Sequence, residues 1–368
     1  VTDWIESEEA IAAVDSLLGA VGLEHGRRAS RAGTWLAGER KARPRASSSA
    51  KKESSGDALA LLRVSAFDAL PWLEYGFSNR SGGVSTIYSG GARGELNLGW
   101  TKEDDPAAVA ENRFRFVKAI GAAAPSDRRR RATQKAKSSR LVTLRQIHSG
   151  LLRVLGEKEL EAELATPDGR AVLRGDGMMT DQPGILLGIH TADCVPVLIA
   201  DPKRRAVAGF HAGWRGTLRR IVEHGVGTMR LAYGSAPEDL IAVVGPAIGA
   251  CCYSVGEEVR FEFESQFAYA PELFSEVFDS DPVREKYPLL FLTARAPGHS
   301  PIGPQLHINL AEANRRQLLD SGLKPGNVHL TGECTACAGL PGVRRYFSHR
   351  AEHGFAGRMM SAIGVKTA

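Results

Sequence analysis

The segment GILLGIHTADCVPVLIADPKRRAVAGFHAGWRG, residues 184–216, decides how this chain folds. It holds apolar runs over 184–190, 195–200 and 206–211, separated by TADC (191–194) and the turn sequence DPKRR (201–205). Runs this short, rich in Ile and Val and bounded by turn residues, read as strands rather than helices. The third run ends on His211 and passes through Gly213 and Gly216 into a helical pattern over 217–231. Working outward, strands are predicted over 61–67, 72–78, 141–148, 240–244 and 328–331. Helices are predicted over 106–120, 255–267 and 307–319. NRSGGVS (79–85) and GPAIG (245–249) read as loops, and 96–99 as a short closing segment. Strands alternating with helices give an α/β class, with mixed β-sheet layers flanked by helices.

Outside this core the composition changes. Residues 3–23 carry Ile5, Ile11, Leu17, Leu18 and Val21 at helical spacing, and residues 27–52 hold nine Lys and Arg against Glu39 alone. A second basic cluster lies in the low-complexity stretch 121–140. These readings divide the chain into an N-terminal extension, 1–56, and a catalytic domain, 57–368, with a mobile insertion at 121–140. The two clusters carry most of the net charge of +5 and lack interleaved aromatics, so they read as solvated charge and not as a nucleic-acid surface. Hydrophobic residues are 43% and no apolar run reaches membrane-spanning length, so a membrane partner is not expected. Five cysteines, two of them adjacent (Cys251 and Cys252), do not form a disulfide framework and fit a reducing compartment. The expected location is the cytoplasm. The chain opens on Val1 and has an Arg/Ser/Ala-rich stretch, so an organelle stays open as the alternative.

Three predicted segments end in borderline-soft metal ligands: His148 in QIH, Cys194 in ADC and His211 in HAGW. Imidazole and thiolate together suit zinc, and a catalytic zinc takes three protein ligands plus one open position. The same residues admit two other readings: a metal-free Cys194–His211 nucleophile pair, and buried structural side chains. No His-X-His pair occurs among the ten histidines, which argues against a multicopper oxidase. The deaminase signature H-x-E…P-C-x-x-C is absent. Cys334-Thr335-Ala336-Cys337 is a lone C-x-x-C, read as structural.

QIH (146–148), TADCVPV (191–197), HAGWRGT (211–217) and GPAIGACCY (245–253) together resemble the YfiH-like family, also called the laccase-domain or polyphenol oxidoreductase family. RSGGVS (80–85), LNLG (96–99), ENR (111–113), CT (334–335) and FSHR (347–350) follow in the same order, so the resemblance spans residues 77–363. His349 stands where the family pattern suggests an aromatic residue. The resemblance implies an α/β fold with Zn2+ on His148, Cys194 and His211. It also implies phosphorolysis of purine nucleosides and methylthioadenosine, with adenosine deamination in the same site. The partners would then be small purine nucleosides and phosphate, acting on a monomer or homodimer. Given phosphorolysis, Arg80, Arg215 and Arg350 are candidate phosphate ligands, with structural ion pairing as the alternative. Asn97 is a candidate ribose contact or a turn residue. Asp193 is a candidate to orient His211 or move a proton, with a turn role as the alternative. The rival function is a cysteine hydrolase acting through Cys194 and His211 on a cell-wall precursor or amide.

Overall fold

A computed structural model describes residues 59–122, 139–167, 169–277, 305–340 and 343–367. The helix expected over 3–23, the basic stretch before residue 56 and most of the 121–140 insertion lie outside these residues. At the edges of that insertion the outcome is specific. Gly121 and Ala122 complete the helix Pro106–Ala122, and Arg140 opens the strand Arg140–Thr143.

Two mixed sheets carry the fold. The first orders Leu61–Leu62, Leu73–Ser78, Met359–Val365, Ile185–Thr191 and Arg140–Thr143, antiparallel except for the last pair. The second orders Val328–Leu330, Ile241–Val244, Val195–Asp201, Ala206–Ala212, Gly177–Thr180 and Leu152–Val154, parallel only in its two end pairs. Strand periodicity sorts the side chains into layers. Leu187 and Ile189 of the first sheet share one buried cluster with Leu198, Ala200 and Val207 of the second, so this cluster fills the space between the sheets. Val195, Val197, Ile199, Ala208 and Phe210 point the other way, onto Ile221, Val226, Leu310 and Ala313 of the helices behind. Leu186, Met360 and Ala362 face Phe116 and Ile120 of Pro106–Ala122. The result is a helix–sheet–sheet–helix stack. The central strands are buried on both faces, which is why their sequence is continuously apolar.

Several predicted boundaries shift, each for a local reason. The strand expected over 61–67 stops at Leu62, and Ser65–Asp68 forms one helical turn. The helix expected over 217–231 is two, Trp214–Leu218 and Ile221–Tyr233, broken where Arg220 takes a left-handed φ of 56°. The helix expected over 255–267 is confined to Glu257–Glu264. His307 is a strand residue in Gln305–Ile308. The following helix, Leu310–Asp320, starts behind an N-cap Asn309 whose side chain accepts from Glu312 N–H.

Helix Ile221–Tyr233 lies against the second sheet through a glycine. A Cβ on Gly225 would sit 2.3 Å from two carbons of the fully buried Phe210 ring. Gly225→Ala gains about 1 kcal/mol of helix propensity, but overpacking a closed core costs about 1–3 kcal/mol. Net destabilisation is therefore expected, seen as a lower urea midpoint at unchanged slope. A raised midpoint would show that the Phe210 ring yields.

Candidate metal centre

The chain crosses from the first sheet to the second between Ile185–Thr191 and Val195–Asp201, and Cys194 occupies that crossover. His211 lies in strand Ala206–Ala212 of the second sheet. His148 is not a strand residue, as 141–148 had suggested. Strand Arg140–Thr143 ends earlier, and His148 stands in a loop at a φ of 56°. One buried carboxylate, Asp176, shapes that loop. It accepts the backbone N–H groups of Ile147, His148 and Ser149 and the Ser149 hydroxyl, at 2.7–3.2 Å. Its Oδ1 also lies 2.8 Å from His211 Nδ1, so the same group sets the ring of one candidate ligand and the backbone of another. Gln146 adds a second anchor. Its side-chain amide bonds both the N–H and the C=O of His190, fastening the loop to the first sheet.

These constraints bring together His148, Cys194 and His211, whose ligand atoms all lie within 4.8 Å of one another. Cys194 Sγ is 3.9 Å from His148 Nε2, and the two imidazoles meet edge to face with centroids 4.8 Å apart. With Nδ1 of His211 engaged by Asp176, its Nε2 is the nitrogen left for the thiol and a metal. Gly213 explains the glycine of HAGW. A Cβ there would come within 3.0 Å of Cys194 Sγ and 3.2 Å of His148 Cδ2. The donor set, two nitrogens and one sulfur converging on a single point with one side open to a cleft, fits a tetrahedral divalent cation.

The electrostatics follow from burial and partners. Burial would raise the Asp176 carboxyl, but hydrogen bonds from His211 and Ser149 outweigh it and hold the group down at about 2. Burial would lower His211, yet the Cys194 and Asp176 charges raise it to about 9. Cys194 is driven up by burial and down, by more, through His211 and His148, to about 6. The two opposed shifts reinforce each other, since a charge on either group favours the opposite charge on its neighbour. Nearby His190 is pushed down to about 3, first by burial and then by the Arg113 charge, so it stays neutral.

The cleft above these residues encloses about 1130 Å³ and is lined by Arg145, Arg170, Arg215, Arg350 and Arg358. Trp100, Trp214 and Tyr253 supply aromatic surface on its walls. Of the residues singled out from sequence, Arg215 and Arg350 lie on this cleft. Arg215 is over the Trp214 ring at 4.3 Å, and Arg350 is tied to Ser254 and over Tyr253. Arg80 and Asn97 do not reach it. Arg80 is 5% exposed, ion-paired to Glu95 and Glu352 and laid over Phe347, so the structural ion-pairing reading holds for it. Asn97 is fully buried and bonds Gly99, Asp104 and the N–H of Arg358, so it positions a cleft arginine and cannot contact ribose.

Asp193 lines the cleft wall, but its carboxylate accepts from Thr335 Oγ1 and Arg350 N–H at 2.7 Å each. With φ at 95° it forms the turn before Cys194, and the orienting partner expected of it is Asp176 instead. Sequence reasoning passed over Asp176. Its only signal was an acidic residue between two glycines (GDG, 175–177) directly before a fully buried strand.

Residues 74–366 match the family described as multi-copper polyphenol oxidoreductase laccase. The chain belongs to this family. It is 31% identical to a Geobacillus stearothermophilus protein named purine nucleoside phosphorylase YlmD, over 81% of this chain and 95% of that one. It is also 31% identical to a Deinococcus radiodurans protein named purine nucleoside phosphorylase, over 79% and 88% of the respective chains. The crystal structure of the Bacillus licheniformis hypothetical protein YfiH superposes with a TM-score of 0.65 at 27% identity, covering 84% of this chain and 98% of that one. The mixed-sheet fold expected from sequence is therefore the fold of the family. Among the described residues, no helix is long and apolar enough to cross a membrane.

Asp176→Asn keeps the shape of the side chain and removes its charge. Metal affinity is expected to fall about 10–100-fold, the usual cost of losing an orienting partner, read by competition with a chromogenic chelator. Unchanged affinity would mean that His211 is held without Asp176. The folded Asp176 carboxyl, at about 2, lies below its ordinary value of 3.8. Its contribution of about 2 kcal/mol is therefore complete above pH ~4 and lost as pH falls towards 2. The acid limb of the unfolding curve should accordingly flatten in the Asn variant.

Proposed function

We propose that this chain is a zinc-dependent purine nucleoside phosphorylase acting on adenosine, inosine, guanosine and methylthioadenosine, with adenosine deamination in the same site. The observation that carries this reading is the juxtaposition of the His148–Cys194–His211 donor set with an arginine-lined cleft. The names of its relatives favour the same chemistry. Zinc is favoured over copper by the mixed imidazole–thiolate set and by the absence of His-X-His pairs from the sequence.

The chain's own residues supply most of what phosphorolysis requires. Phosphate must approach the sugar carbon from one side while the purine departs from the other. Arg215 and Arg350 border the cleft with guanidinium groups, which match phosphate oxygens and neutralise their charge. The Trp100, Trp214 and Tyr253 faces give a purine a surface to lie against. Asp176 holds the Nδ1 side of His211, so its other nitrogen stays directed at the reaction site. A zinc ion on His148, Cys194 and His211 supplies Lewis-acid polarisation when bound. Asp193 forms the turn that presents Cys194, its carboxylate held by Thr335 Oγ1 and the Arg350 N–H.

The cysteine-hydrolase reading rests on one observation, the Cys194 thiol set beside the His211 ring at the cleft. It requires a free thiolate, so a bound metal and a nucleophilic Cys194 exclude each other. Incubation with adenosine, inosine, guanosine and methylthioadenosine, with and without phosphate, separates the possibilities. Free base that depends on phosphate is expected, and ammonia released from adenosine would report the deaminase activity. His148→Ala, Cys194→Ala and His211→Ala should each abolish turnover while leaving the far-ultraviolet dichroism intact. Arg215→Ala should raise KM for phosphate more than KM for nucleoside. Turnover that survives chelation but is lost in Cys194→Ala would overturn the phosphorylase reading in favour of the hydrolase.

A further inference from the structure

A second cluster of ligand-bearing side chains lies away from the three residues above. Cys251 and Cys252 follow the GPAIG loop, and Cys334 and Cys337 form the C-x-x-C that had read as a lone pair without a partner. The fold brings the two pairs together: all four sulfurs lie within 4.8 Å of one another, and Cys251 Sγ is 3.6 Å from Cys337 Sγ. Four thiolates around a tetrahedral zinc, each at about 2.3 Å, stand about 3.8 Å apart. The observed spacing therefore needs only a small closure.

The backbone around Cys334 suits a thiolate. Cys334 Sγ accepts the backbone N–H of Gly249 at 3.2 Å and those of Ala336 and Cys337, which pre-orients it and offsets its negative charge. Gly249 packs tightly here: a Cβ would meet Cys251 Sγ at 3.2 Å and Cys334 Cβ at 3.3 Å. None of the cysteines is in a disulfide, and Cys251 and Cys337 are exposed, so a metal has a path of entry.

We propose that Cys251, Cys252, Cys334 and Cys337 form a structural tetrathiolate site for a thiophilic divalent cation, with zinc as the expected occupant. Binding displaces the thiol protons to solvent and involves no change of oxidation state. The site fastens two loops that jointly grip the Asp193 turn. Thr335 N–H bonds the Ala247 carbonyl, Thr335 Oγ1 bonds the Asp193 carboxylate, and Ile248 N–H bonds the Asp193 carbonyl. A cation on the four sulfurs thus braces the crossover that presents Cys194, from outside the cleft. This assignment is independent of the nucleoside reading.

The test uses the full chain in a strong reductant, in the His148→Ala/Cys194→Ala background that disables the first centre. Cobalt(II) should bind with intense d–d absorption and thiolate charge-transfer bands of a tetrahedral tetrathiolate ion. Adding Cys334→Ser and Cys337→Ser should abolish both. If that background misfolds, the unsubstituted chain gives the second readout: zinc should slow alkylation of Cys251 and Cys337 severalfold, and chelation should restore it. Absence of thiolate bands in the folded background overturns the proposal. So does alkylation indifferent to zinc.

Discussion

The Asp176 carboxylate is the interaction on which the site depends. Buried and ionised, it gathers five N–H and O–H groups from residues 147–149 and His211. A buried anion is tolerable only when its hydrogen bonds replace the water it has lost. Here that requirement fixes the geometry. Satisfying the charge forces the 147–149 backbone to curl around it, puts His148 into a left-handed conformation and turns His211 so that its free nitrogen faces Cys194. None of these three outcomes is favourable alone. The carboxylate makes them mutually dependent.

What the sequence made legible followed from burial on two faces. The runs at 184–190, 195–200 and 206–211 are apolar throughout because helices or a second sheet cover both sides, and they became strands almost as read. Breaks hidden inside a continuous pattern were not legible. Nothing in the periodicity of 217–231 marks Arg220 as the residue that leaves the helix, since its φ is set by packing between elements. The 141–148 strand failed for a related reason: its last residues are pulled off the sheet by Asp176, a partner distant in sequence.

The same division holds for the site. The ligand types and their motifs pointed to His148, Cys194 and His211, which do converge. Arg80 and Asn97 lie off the cleft, because residue type gives charge and hydrogen-bonding capacity but not burial. Arg80 meets two carboxylates inside the protein and Asn97 meets backbone. Asp176 went unseen because an acidic residue beside a strand is ordinary until the groups that converge on it are known. The pairing of Cys251–Cys252 with the C-x-x-C was equally out of reach, since it rests on strand Ile241–Val244 running parallel to Val328–Leu330.

The three candidate ligands join both sheets. His148 is anchored to the first sheet through Gln146, His211 belongs to the second, and Cys194 sits where the chain passes between them. A single ion held by all three is a rivet through the seam of the sandwich, not an ornament on its rim. Its binding energy is then shared with folding, because any motion that parts the sheets must first give up coordination. Metal supply and resistance to unfolding would then be linked, and a chain without the ion would loosen at the seam where it works while keeping its secondary structure.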